Sequence, residues 1–477
     1  MQTIAETTIT DILLETFKKH QQGVSTLRKE PLSNRMARLK KLRQWIHTNR
    51  SAIHQAAFLD FSKPAMEVDG TEVFHVLSEI RLAISSLEVW ASPRKIDAPV
   101  TMLGTRSYIQ PEARGVCLII APWNYPFSLA VGPLVSALAA GNSVVLKPSE
   151  LTPHVSALLS RMAKEVFEET IVTVVEGDAS ISQQLLQFPF DHIFFTGSPS
   201  IGKLVMKAAA EHLTSVTLEL GGKSPTIVTA SANLREAAQR IAVAKFVNNG
   251  QTCVAPDYIL VDENVQQPFL DELKIQVKKL FADTNGSFET SSSYCRIVNQ
   301  KHFHRLNELL QDALYHGARL EFGGKVDEPS RYIHPVLLTH VPDHCRLMEE
   351  EIFGPILPLV SYANLDEVVS IINAKPKALA LYIFANHKHD CEKIIRETSA
   401  GAVCINDCAI HFLHHNLPFG GVNNSGIGSS HGRFGFLAFS HEKPVMKQKS
   451  GITSIRPFYP PYTEMSKKLM DWFLKLF

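Results

Sequence analysis

From residue 115 the chain alternates short, unbroken apolar runs with longer segments of helical periodicity, and this alternation limits its fold more than any other feature. Residues 116–120, 143–146, 171–175 and 192–195 read as strands buried on both faces. Residues 129–140, 155–166 and 201–210 read as the helices crossing between them. The expected fold is α/β, with a doubly wound parallel sheet. Sheets of this kind bind ligands at the carboxyl ends of their strands, where loops meet helix N-termini.

The loops at those ends carry the chemistry. After the first strand comes Ala121-Pro122-Trp123-Asn124-Tyr125-Pro126, after the second Lys147-Pro148-Ser149-Glu150, and after the fourth Thr196-Gly197-Ser198-Pro199-Ser200-Ile201-Gly202. Lys147 and Glu150 suit the hydroxyls of a ribose. Gly197 and Gly202 allow a backbone to approach a pyrophosphate, and Ser198 can donate to it at the start of a helix. Standing alone, these two glycines are more often a tight strand-to-helix turn than a cofactor site.

Residues 215–220 form a further apolar strand interrupted by Glu219, and carboxylates are rarely buried without a partner or a purpose. One reading is a solvated edge-strand carboxylate; the other is a general base whose pKa is raised by desolvation. The stretch Asn248-Asn249-Gly250-Gln251-Thr252-Cys253 sets a cysteine behind a glycine turn. Cys253 is the candidate nucleophile, expected to be activated by a cation or helix-end amides that lower its pKa. An isolated cysteine is more often a small core residue, so this assignment depends on the company it keeps.

A second α/β region follows, with strands at 258–261, 336–338 and 356–360 and helices at 303–316 and 365–373. Between them Glu350-Glu351-Ile352-Phe353-Gly354-Pro355 suits a loop that touches a cofactor, or an ordinary turn before a strand. Cys404, Cys408, His411, His414 and His415 are closely spaced, but their spacing matches no common zinc motif, and no metal is expected. Residues 417–428 form a glycine-rich loop anchored by Phe419, and 434–446 read as extended.

Amphipathic helices are expected over residues 5–60 and 73–90, and an extended excursion over 101–109. The tail at 464–477 places Met465, Leu469, Trp472, Phe473 and Leu476 at helical spacing beside lysines, fit to pack on the protein or, less readily, to touch a membrane surface. With 48 basic against 47 acidic residues, the chain has no field for nucleic acid. Residues 1–11 lack the apolar core of a signal peptide, and seven scattered cysteines suit free thiols, so a cytoplasmic location is expected.

Taken together, the motifs APWNYPF (121–127), KPSE (147–150), FFTGSPSIG (194–202), LELGGKSP (218–225), GQTC (250–253), EEIFGP (350–355) and LPFGGV (417–422) resemble the NAD(P)-dependent aldehyde dehydrogenase superfamily, most closely its class 3 branch of fatty and aromatic aldehyde dehydrogenases. The resemblance runs from about residue 30 to the tail. It implies that Cys253 attacks an aldehyde while Asn124 and the Cys253 amide hold the oxyanion, and that Glu219 activates the water hydrolysing the resulting thioester. Lys147, Glu150, Ser198 and Glu351 would hold the cofactor, NAD slightly favoured over NADP, with Phe353 near its nicotinamide ribose. Tyr125, Thr252 and Phe419 are candidates for the substrate site.

The resemblance also implies a cofactor domain (1–97 and 111–223), a catalytic domain (224–428), a bridging and oligomerisation element (98–110 and 429–450) and a C-terminal tail (451–477), assembled as a homodimer. Two departures stand out: Asn423, where the family's loop usually has glycine, and Arg114, where an apolar residue is expected. Rival activities are a CoA-acylating enzyme, against which a water-activating Glu219 argues, and a cofactor-independent cysteine esterase, which has no use for Lys147, Glu150 and Ser198. A catalytically idle binding protein would not need Cys253, Glu219 and Asn124 together.

Overall fold

The computed structural model describes residues 2–102, 104–451 and 453–475. Leu103 and Leu476, which belong to the expected excursion and tail stripe, lie outside the described residues.

Five parallel strands form the first sheet in the spatial order Ser215–Leu220, His192–Gly197, Val116–Ile120, Ser143–Lys147, Val172–Val174. Alternate residues along a strand point to opposite faces. Cys117 and Ile119 accordingly enter one core with the helices Phe74–Ala91 and Ser128–Ala140, whereas Val116, Leu118 and Ile120 enter another with Leu13 and Phe17 of the N-terminal helix Gln2–Leu27. Chain order reverses between Val116–Ile120 and its neighbours on either side, so a crevice opens between the carboxyl ends of Val116–Ile120 and His192–Gly197.

The second sheet has seven strands, six of them parallel: Val336–Thr339, Ile356–Tyr362, Tyr258–Asp262, Pro225–Val228, Ala380–Phe384 and Ala402–Ile405, with Arg319–Phe322 antiparallel at one edge. Pro225–Val228 and Ala380–Phe384 were not expected from sequence. Pro225 opens its strand, where its missing N–H costs no ladder bond. A third, antiparallel sheet joins Arg94–Ile96, Thr105–Ala113 and Ser440–Gln448, and the last of these is its mostly exposed edge.

Residues 434–446 are not uniformly extended as expected: Gly432–Ala438 is a helix, and the strand begins at Ser440. Packing overrides the β propensity of its aromatic residues, because Phe436 and Phe439 enter the first core and Gly435 lies so close to Ser136 that a Cβ would sit 2.4 Å from its hydroxyl. Gly426–Ile427 pairs antiparallel with Ser215–Leu220, placing the end of the glycine-rich loop on the first sheet rather than in the second unit. The tail helix Glu464–Leu474 buries none of its described residues, and its ring contact is Phe473 with Phe458 of the adjoining turn. No described helix is long and apolar enough to cross a membrane.

Candidate active site

The Cys253 loop leaves the helix Leu234–Phe246 through three consecutive left-handed residues, Asn248 (φ 54°), Asn249 (φ 55°) and Gly250 (φ 73°). Asparagine tolerates this region better than most residues, and Gly250 must be glycine for a second reason. A Cβ there would sit 2.3 Å from the Gly354 carbonyl oxygen. Gln251 locks the turn, donating to the carbonyls of Asn248 (3.0 Å) and Arg296 (3.1 Å) and accepting from the Val298 amide (3.0 Å). Asn124 then ties the first strand's loop to it: its amide donates to the Gln251 carbonyl at 3.1 Å, and its own carbonyl accepts from Asn248 Nδ2 at 2.8 Å. Beside them the Tyr125 hydroxyl lies 2.7 Å from Thr252 Oγ1.

A buried charge cluster that sequence reasoning missed supports these loops. Lys63 pairs with Glu72 at 2.8 Å and lies 3.9 Å over the Tyr125 ring; Glu72 accepts from the Phe127 amide at 2.8 Å, and Glu67 from the Asn248 amide at 2.9 Å. Lys223 and Asp257 form a second buried pair. Lys223 also donates to the carbonyls of Leu347 and Glu350, both at 2.9 Å, while Asp257 accepts from the Ile352 amide at 2.9 Å. This pair pins the 218–225 motif to the 350–355 motif. Gly221 allows the Glu351 carboxylate to lie against the backbone, where a Cβ would be 2.3 Å from Oε2. Phe353 takes φ 50°, strained for a bulky residue, with its ring 5.3 Å from that of Trp123.

The electrostatics of Cys253 run against the expectation of a depressed pKa. Burial pushes its thiol up to about 12, the nearby Glu351 and Glu219 push the same way, and only the amides of Cys253 and Val254 oppose them. No cation is among the groups acting on the sulfur, so its proton needs a base. Burial also raises Glu219, to about 8. Glu219 is not a solvated edge residue, because Gly426–Ile427 covers its strand. Its Oε1 accepts from the Ser430 hydroxyl at 2.9 Å, and its buried Oε2 has no partner. Glu351 is likewise raised to about 8, by burial first and Asp257 next, against the pull of the Gly222 amide, Lys223 and Arg305.

At the crevice of the first sheet, buried Lys147 donates to the Pro148 carbonyl at 2.8 Å and meets Glu150, whose carboxylate is exposed, at 3.3 Å. Ser198 caps the helix Pro199–Ala210, accepting from the Ile201 amide at 3.4 Å. Gly197 and Gly202 are also held small by their packing. A Cβ on Gly202 would lie 2.8 Å from Leu220 Cδ2, and one on Gly197 2.5 Å from the Phe195 ring, so both serve packing within the protein. A hydroxyl capping a helix N-terminus, an ammonium and an exposed carboxylate are groups that suit a pyrophosphate and ribose hydroxyls.

Two cavities meet at Cys253. One is an apolar tunnel of ≈ 540 Å³ whose walls include Tyr125, Thr252, Val243, Val247, Ile410 and Leu413. The other is small and interior, and contains Glu219, Ser430 and Phe419. Tyr125 and Thr252 line the tunnel, whereas Phe419 lines the interior cavity. Asn423 adopts φ 54° and accepts from Lys377 at 3.1 Å, and Arg114 donates to the Ala438 carbonyl at 2.8 Å, so both departures are accommodated. Among the described residues, no group of three or more potential metal ligands gathers.

The sequence model of the aldehyde dehydrogenase family matches residues 3–445. The chain belongs to that family. This aldehyde dehydrogenase is 41% identical over 463 residues to the 4,4'-diaponeurosporen-aldehyde dehydrogenase of Staphylococcus aureus, covering 97% of this chain and 99% of the relative. It is 41% identical over 432 residues to the dimeric NADP-preferring aldehyde dehydrogenase of Mus musculus, covering 90% and 94% of the two chains. The solved substrate-bound state of Staphylococcus aureus AldH superposes with a TM-score of 0.92 at 41% identity, over 96% of this chain and 99% of that one. The family assignment makes the chain an oxidoreductase acting on aldehydes.

Proposed function

We propose that this enzyme oxidises apolar aldehydes to carboxylic acids with NAD or NADP, through a thioester on Cys253. The observation carrying this reading is the position of Cys253, between an apolar tunnel and a buried carboxylate with one unpartnered oxygen. The tunnel selects by apolar contact, and relatives named for an apolar polyene aldehyde and for NADP preference support both substrate class and cofactor.

The Cys253 sulfur adds to the aldehyde carbon, giving up its proton to a carboxylate; Glu219 and Glu351 are the two whose charge it feels. Asn124, held by the Gln251 carbonyl, and the Cys253 amide stabilise the oxygen as it becomes anionic. A bound nicotinamide cofactor would supply the hydride acceptor. Lys147, Glu150, Ser198 and Glu351, with Phe353 near the nicotinamide ribose, would hold that cofactor at the crevice, and the thioester is left in the tunnel. Glu219 then takes a proton from water as it attacks the thioester carbon, and the acid leaves. The open edge of Ser440–Gln448 is the surface on which we assign a second copy, giving a homodimer.

The test is the Glu219→Gln enzyme mixed with aldehyde and cofactor. Its thiol can still give its proton to Glu351, but the hydrolytic water has lost its base. A burst of reduced cofactor of about one per site is expected, followed by slow turnover, with an acyl adduct mapping to Cys253 by mass spectrometry. A variant that binds cofactor yet gives neither burst nor adduct shows that Glu219 acts at or before hydride transfer and refutes its assignment to hydrolysis alone.

A further inference from the structure

The interior cavity is lined by groups that the reaction so described does not use. Besides Glu219 its wall includes Ser128, His75, Glu79 and His431, all buried. The Ser128 hydroxyl, His431 Nδ1 and Glu219 Oε2 have no hydrogen-bond partner. His431 bonds the Phe412 backbone and lies 4.8 Å from the His75 ring. His75 and Glu79 stand one helical turn apart on Phe74–Ala91, and Glu79 Oε2 accepts from the Gly432 amide at 2.8 Å.

The space open to the centres of water molecules in this cavity is ≈ 40 Å³. At about 10–15 Å³ for each water, that is room for roughly three and too little for an aldehyde. Buried polar atoms left unpaired cost about 1–3 kcal/mol each, so water is the occupant that satisfies this wall. Burial keeps both imidazoles neutral, His75 falling to about 4 and His431 well below its ordinary value, with His415 acting in the same direction on both and His75 and His411 on His431. Burial raises Glu79 to about 7, leaving it able to change protonation near neutral pH.

We propose that this cavity is a proton relay in which waters connect Glu219 with Glu79, and that Glu79 receives the proton Glu219 must shed between the two halves of the reaction. The inference rests on the thioester reading above. Glu219 first takes the thiol proton as the S–C bond forms and the carbonyl oxygen becomes anionic; hydride departure to the cofactor restores the carbonyl as a thioester. Hydrolysis needs Glu219 ionised again, yet a long acyl chain now fills the tunnel. Glu219 therefore protonates the first cavity water while the last one protonates Glu79. The attacking water then gives its proton to recharged Glu219, the C–S bond breaks, and the sulfur takes that proton. Two protons leave overall: one from Glu79 after product release, and one from the acid itself. Glu79 touches no reacting atom and acts through Glu219.

The experiment compares Glu79→Gln with wild type on decanal and acetaldehyde. The NADH burst should be unchanged with both, showing Cys253 and the cofactor site intact. Steady-state turnover should fall roughly 10-fold or more with decanal but little with acetaldehyde, whose acetyl group leaves the tunnel open to solvent. A loss equal for both aldehydes marks a merely structural role and overturns the relay, as does no loss at all. If the variant does not fold, decay of the decanoyl-enzyme of the wild type in mixed H2O and D2O carries the test. A bowed dependence on deuterium fraction supports several protons in flight, and a straight line overturns the relay. Turnover near that of the wild type in Cys253→Ser would instead refute the underlying thioester reading.

Discussion

The tunnel and the interior cavity share Cys253 as a wall but are built from opposite materials. The tunnel is wide, apolar and formed largely by residues close in sequence, 243–254 and 407–413. The interior cavity is narrow and gathers carboxylates, imidazoles and hydroxyls from five separate stretches of chain. Sorting a slippery substrate needs only shape and apolar area, which neighbouring residues on one helix and one loop can supply. Moving protons needs unlike groups held in fixed relation, and this fold obtains them from distant segments.

The sharpest way to break the comparison is to remove the shared wall. Cys253→Ser should abolish aldehyde oxidation while leaving cofactor binding nearly intact, because a hydroxyl is a far poorer nucleophile than the thiol and Glu219 is too weak a base for it. Turnover near that of the wild type would sink the mechanism. Asn124→Ala comes next. Losing one oxyanion donor should lower turnover by roughly 10²–10³-fold, and an unchanged rate when chemistry is limiting would exclude that role.

A change confined to the tunnel should act differently. Val243 stands at the tunnel wall and is 41% exposed, so Val243→Asp can be made without burying a charge in a core. It should raise KM for decanal roughly 10-fold through lost apolar contact while leaving kcat and the reaction of acetaldehyde nearly as they were. A fall in kcat for both aldehydes would show that tunnel and interior cavity are not separable.

The same contrast explains what could be read from the sequence. The strands of the first sheet were legible because each is an unbroken apolar run, and Glu219 because a carboxylate interrupts one of them. Asn124 and Tyr125 were legible because they lie in a loop leaving such a strand, and Cys253 because it follows a glycine turn. Ser430 and Glu79 were not, because their partners are far away in sequence: Ser430 reaches Glu219 across 211 positions, and Gly432 reaches Glu79 across 353. Neither contact leaves a local pattern. The direction of the Cys253 shift was misread for a related reason. Its sign depends on burial and on Glu351 and Glu219, and none of these is a sequence neighbour.

The smallest expected effect is on stability, and it separates the interior cavity from the tunnel without any turnover. Glu219 holds its proton up to about pH 8 in the folded chain, whereas an unfolded glutamate releases it near its ordinary value of 4.5. Between those values the folded state binds more protons than the unfolded state, so stability falls as pH rises through the window, by up to about 1.4 kcal/mol per unit for this group. Below pH 4.5 both states are protonated and the effect vanishes. Glu219→Gln cannot ionise and lacks this slope. Without cofactor, its Tm should differ little from that of the wild type at pH 5 and exceed it by ~1–3 °C at pH 8, the scale expected for a chain of this size. Glu67, Glu79 and Glu351 are also raised by burial, so the wild-type slope should be reduced by the substitution and not removed. Val243→Asp adds its carboxylate at an exposed position and should leave the difference between the two pH values as it is in the wild type. Equal Tm differences at both pH values for Glu219→Gln would mean that Glu219 is solvated, and that the interior cavity is open to bulk water in the same way as the tunnel.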